Sequence, residues 1–105
     1  MKKYENAVKS LVELASKSCG SSRAAAAVLL SAYDPVEYPL DITELCLFDP
    51  DYFAAAMLVI SLRVWNRREP HECISNGTAI FNMLVADWGE VLHINRRTTS
   101  RGFSR

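Results

Sequence analysis

From Pro50 to Arg67 the chain reads PDYFAAAMLVISLRVWNR, and its apolar side chains (Phe53, Ala54, Ala55, Ala56, Met57, Leu58, Val59, Ile60, Leu62, Val64 and Trp65) cover nearly the whole circumference of a helix. A helix that is apolar on every side needs neighbours on every side, and these can be other helices or lipid. The longest apolar run, Phe53 to Leu62 broken only by Ser61, is about half of the ~20 residues that span a bilayer. The segment is therefore expected to be a central core helix, at about residues 50–67, and no membrane association is expected. Its start is well marked. Asp49 can cap, Pro50 occupies the first helical position where its missing N–H costs nothing, and Asp51 sits favourably against the helix dipole.

The rest of the chain supplies helices to surround it. Tyr4, Ala7, Val8, Leu11, Leu14 and Ala15 recur at three- and four-residue steps with charges between them, which predicts an amphipathic helix stopping at Gly20, a residue suited to a left-handed C′ position. Ser21 or Ser22 can cap the next helix, Arg23 to about Tyr33, which opens on Ala24-Ala25-Ala26-Ala27 and is ended by Asp34-Pro35. Residues 34–40 read as an extended connection. Asp41-Ile42-Thr43-Glu44 has capping-box spacing and predicts a short helix to about Leu47. Ile74, Ala79, Ile80, Phe81, Leu84, Val85 and Trp88 mark a last helix ending at Gly89, which begins either at His71 behind Pro70 or after Asn76-Gly77. The expected fold is an all-α, compact bundle of about five helices.

A chain of 105 residues suits one core, and with half of its residues hydrophobic and no net charge it can repay the entropy of ordering. Residues 1–95 are expected to form the single domain and 96–105 a basic, mobile tail. No signal segment is recognised at the start. The three cysteines, Cys19, Cys46 and Cys73, are odd in number and lack C-x-x-C spacing, which favours a reducing, cytoplasmic setting.

Leu11 and Ala15, Gly20-Ser21-Ser22-Arg23, Leu29-Leu30 with Ala32, Leu40-Asp41-Ile42-Thr43-Glu44-Leu45, Asp49, Met57, Pro70, Gly77 with Phe81, and Leu84 with Trp88 carry a resemblance. Over roughly residues 5–92 the chain resembles an uncharacterised family of short helical proteins from bacteria, plasmids and phages, catalogued only as a domain of unknown function. The resemblance implies a small helical fold and no activity. The chain departs from the family pattern in its arginine-rich tail and in its His71-Glu72-Cys73 triplet.

That triplet is the one stretch that looks like chemistry. It matches neither the H-E-x-x-H of zinc proteases nor the H-x-E and P-C-x-x-C pair of zinc deaminases, and His93, Cys19 and Cys46 are scattered elsewhere. Cys73 and His71 are two residues apart, a spacing at which helical side chains do not face each other. No glycine-rich phosphate fingerprint occurs. Neither catalysis, metal nor cofactor is expected. The triplet reads instead as a helix start, with His71 at the surface.

Charge is distributed unevenly. Between Ala24 and Leu62 there is no Lys or Arg, whereas Asp34, Glu37, Asp41, Glu44, Asp49 and Asp51 cluster around the connection and the helix starts. Asp34, Glu37 and Asp51 beside Tyr38 and Tyr52 are the candidate contact residues for a protein partner of basic character. The opposite end is expected to be basic, with Arg63, Arg67 and Arg68 and, in the tail, Arg96, Arg97, Arg101 and Arg105. Those four tail arginines are candidate phosphate contacts, making nucleic acid the alternative ligand. Sequence-specific reading through a helix-turn-helix is not expected, because the second helix opens on alanines with no bidentate donors. The reading is a non-enzymatic interaction module of a mobile element or phage, and the composition leaves room for a homodimer with an uncovered apolar face.

Overall fold

The innermost element of the fold is the alanine-rich helix, not the apolar segment that follows it. The computed structural model describes residues 2–94, in which α2 (Ser22–Tyr33) buries nine of its twelve residues, including Ala24, Ala25, Ala26, Val28, Leu29 and Leu30 with no exposure at all. Alanine makes this position feasible. Its short side chain lets neighbouring backbones approach closely, and α2 packs against α1 (Lys2–Ala15), α3 (Pro50–Trp65) and α4 (Gly77–Leu92). α1 turns Ala7, Val8, Leu11, Leu14 and Ala15 into the same core, and α4 contributes Phe81, Leu84 and Leu92. Two 3-10 helices, Ile42–Leu47 and Pro70–Cys73, complete the set, and no strand occurs among the described residues. The chain is all-α, with the expected five helices resolved as four α-helices and two 3-10 turns.

The position expected for the segment at 50–67 is corrected by this arrangement. α3 buries only Ala55, Ala56, Val59 and Leu62, all on one side, and it lies at the periphery against α1 and α2. Periodicity measures how much of a helix is apolar, but it does not say whether the same chain supplies the cover.

Several helix ends also differ from the sequence reading. α1 stops at Ala15, and no glycine has positive φ, so Gly20 is not a left-handed cap. The corner is held by Ser22, whose buried hydroxyl donates to the Leu14 carbonyl at 2.8 Å and accepts from the Cys19 N–H at 3.2 Å. Ser22 thus closes the end of α1 instead of capping α2. Trp88 on α4 reinforces the same end, its Nε1–H donating to the Ala15 carbonyl at 3.2 Å. Asp41 caps as expected, accepting from the Thr43 N–H and hydroxyl at 3.0 and 2.7 Å, while Glu44 does not reach back but pairs with Arg23 at 3.4 Å. Asp49 accepts from the Tyr52 N–H at 3.0 Å ahead of Pro50, the start read from sequence.

HECISNG, residues 71–77, belongs to a corner. Pro70–Cys73 is its own 3-10 turn, in which Glu72 accepts from the Glu69 N–H at 3.0 Å, and Asn76 then takes the left-handed conformation (φ 57°) that redirects the chain into α4 at Gly77. Gly77 is required by close approach: a Cβ there would lie 1.8 Å from the His71 carbonyl oxygen. His71 is not at the surface. Its ring is half-buried, edge-on to Tyr33 at 5.2 Å between centroids and 6.3 Å from Phe81. α4 also continues past Gly89, where the Tyr38 hydroxyl comes within 3.2 Å of the place a Cβ would occupy.

Candidate interaction surface

Phe53, Met57, Ile60 and Val64 follow one another along α3 at steps of four, three and four residues, so they form a single stripe on its outer side. Phe53 is 43% exposed, Met57 40% and Val64 62%, and only Ile60 is largely covered. Trp65 ends the helix at 82% exposure. Single exposed apolar residues are ordinary on protein surfaces, whereas Phe53, Met57 and Val64 share one helix face, which makes that face the candidate interaction surface.

Alongside the C-terminal half of the stripe runs a groove of about 180 Å³ between α2, the connection and α3, walled by Val28, Ala32, Pro35, Leu40, Ile60 and Val64. The volume is below the ≈ 300–1,000 Å³ of ordinary small-molecule sites, and the walls are aliphatic, so the groove suits an inserted apolar side chain. Arg63 lies on its edge, and its Nε is buried without a hydrogen-bond partner. Arg67, in a left-handed conformation at φ 55°, and Arg68 follow at the end of the helix, both exposed. Among the described residues no ion pair engages Arg63, Arg67 or Arg68. α3 therefore carries Asp49 and Asp51 at one end and arginines at the other.

The residues proposed from sequence as an acidic edge are divided between two places. Asp34 closes α2 and its carboxylate accepts from the Glu37 N–H at 3.3 Å. Glu37 pairs with His93, and its carbonyl accepts from the Ile94 N–H at 2.8 Å, so the connection clasps the end of α4. Tyr38 packs edge-on against His93 at 5.8 Å and over Gly89, and burial, then Asp34 and Glu37, push its phenol above the ordinary range. Asp51 and Tyr52 lie in the first turn of α3, where Tyr52 packs against the core. The acidic connection is also less isolated from positive charge than its sequence suggests, because folding brings Arg23 to Glu44 and Arg63 to the groove beside Pro35 and Leu40. The tail candidates Arg96, Arg97, Arg101 and Arg105 lie outside the described residues.

Around the triplet, burial pushes the Cys73 thiol up, Arg68 opposing, which makes it a poor nucleophile. The more acidic thiol is Cys19, exposed at the α1–α2 corner. The Ser22 and Ser21 hydroxyls, 3.4 and 3.7 Å from its sulfur, hold it below the usual thiol range. Nothing in the local sequence distinguishes Cys19, since the effect comes from the corner geometry. A second, open cleft of about 370 Å³ lies between α1 and residues 74–80, with Lys9 on its wall already paired to Glu5 at 2.9 Å. Among the described residues no three His, Cys, Asp or Glu side chains are grouped so as to hold a metal ion, and no helix is long and apolar enough to cross a membrane.

Residues 5–89 match a described family, the family of unknown function DUF7673. The chain belongs to this family. No curated protein and no solved structure matches it. The residues that carried the resemblance now have structural roles: Ser22 and Trp88 close α1, Arg23 and Glu44 pair, Asp41 and Asp49 cap, and Gly77 turns the corner into α4.

Proposed function

We propose that this DUF7673 member is a non-enzymatic protein-interaction module whose contact surface is the outer face of α3. The observation that carries the reading is the stripe Phe53, Met57, Ile60 and Val64, which is apolar enough for a core and yet faces outward beside an aliphatic groove. Asp34, Asp51 and Tyr52 extend the contact as a polar rim, while Tyr38 and the exposed Glu37 are engaged with the end of α4. The setting we propose is a mobile element or phage, in which the chain would act in the cytoplasm as an accessory, regulatory or inhibitory protein.

The test is affinity capture from the native host with the wild-type chain and with Met57→Asp/Val64→Asp, followed by reconstitution of any recovered complex from purified components. The reading expects binding that the double variant abolishes without loss of helicity. Binding unaffected by the double variant contradicts it.

A second reading, contact with nucleic-acid phosphates, is favoured by Arg63, Arg67 and Arg68, which make no ion pair among the described residues and lie beside the exposed Trp65, an arrangement that can hold phosphates and stack a base. Arg96, Arg97, Arg101 and Arg105 would add to it. Titration with single-stranded and duplex nucleic acid at two salt concentrations, with and without residues 96–105, distinguishes the readings. Salt-sensitive binding weakened by the deletion supports the second, and absence of binding at low salt ends it.

A further inference from the structure

We infer that the occupant of the outer face of α3 is a second copy of the same chain, docked antiparallel across that helix. The inference rests on the proposed function and names its partner. Three features of α3 point the same way.

The first is the spacing. Steps of four, three and four residues are those of a helix–helix seam, and they read the same in both directions. An antiparallel copy therefore brings Phe53 of each chain against Val64 of the other, and Met57 against Ile60, with the twofold axis passing between the two central residues of the stripe.

The second is charge. In the same register Asp49, at the head of α3, falls opposite the Arg67–Arg68 end of the other copy's helix. Asp49, Arg67 and Arg68 are exposed, and none of the three makes a salt bridge with a described residue. A parallel arrangement would instead stack acid on acid and arginine on arginine. Complementary ends on one helix select orientation more strongly than they add affinity.

The third is the groove. Because Val64 lines it and Phe53 of the second copy lies opposite Val64, each groove stands ready to receive the other chain's phenyl ring. The twofold operation fills both grooves at once. It also resolves the discrepancy between the all-round apolar pattern of residues 53–65 and the one-sided burial of α3, since the missing neighbour is the other copy's α3.

Sedimentation equilibrium on the full chain across micromolar to millimolar concentration measures the association directly. A dimer is expected, and Val64→Asp should raise its dissociation constant at least about a hundredfold by burying an unpaired carboxylate at the seam. The variant's circular dichroism should be unchanged, and Met57→Asp provides a second disruption should Val64→Asp fold poorly. Orientation is read by cross-linking in a background with Cys19, Cys46 and Cys73 replaced. Chains carrying Phe53→Cys should link to chains carrying Val64→Cys, and neither should link to itself. Self-linking of the Phe53→Cys chain, a dimer that survives Val64→Asp and Met57→Asp, or a chain that is monomeric at every concentration overturns the inference. The last result leaves the interaction-module reading intact, because the double-variant capture experiment is read independently.

Discussion

A methyl group at position 77 would overlap the His71 backbone, so Gly77→Ala must move either the 3-10 turn or the start of α4. We expect a loss of about 1–3 kcal/mol in urea unfolding, the usual cost of overpacking. Gly20→Ala is its control: nothing lies within 4 Å and φ is not positive there, so a gain of about 0.4–1 kcal/mol is expected from the stiffer unfolded chain. Ser22→Ala leaves the Cys19 N–H without its partner and weakens the end of α1, with an expected loss of about 1–3 kcal/mol. The cysteines provide a test with a pH sign. A lowered Cys19 thiol reaches its reactive thiolate at lower pH than an ordinary cysteine, and a raised Cys73 thiol only at higher pH. In site-resolved iodoacetamide labelling near neutral pH, Cys19 should be modified well ahead of Cys73. Equal rates would contradict the corner geometry.

At the scale of elements, the legible features were those whose cause is local. Asp49-Pro50 announces the start of α3 because capping needs only a carboxylate three residues before an amide, and Asp34-Pro35 ends α2 because proline constrains the residue before it. What could not be read was which helix the others surround. α2, with its run of alanines, carries less hydrophobic area per residue than α3 and looks less like a core. Yet the crowded centre of a small bundle has room for little else. The same ambiguity hid the candidate site, because Phe53, Met57, Ile60 and Val64 carry the same signal whether the cover comes from within the chain or from another molecule. The Glu37–His93 clasp was invisible because it joins segments that meet only after folding, and the acidity of Cys19 because it depends on a corner conformation that sets Ser21 and Ser22 against its sulfur. The exchange of roles between the helices can be measured. Ala26→Leu in α2 should lose about 1–3 kcal/mol by overpacking, whereas Ala54→Leu on the exposed side of α3 should stay within about 0.5 kcal/mol of wild type.

Over the whole molecule, four helices close one core while one of them keeps a core-like surface facing outward. That imbalance is the basis of the proposed recognition. The most direct measurement uses the chain's own methionines. Met57 lies on the seam, and Met83 is exposed on α4, 64% accessible and away from it. Mild peroxide oxidation followed by peptide mass spectrometry should find both oxidised in dilute solution. On raising the protein concentration, Met57 should become protected while Met83 continues to react at its dilute rate. A Met57 that resists oxidation even in the Val64→Asp chain would place α3 inside the single chain, and one that tracks Met83 at every concentration would leave the face without a second copy to cover it. Either result would contradict the account.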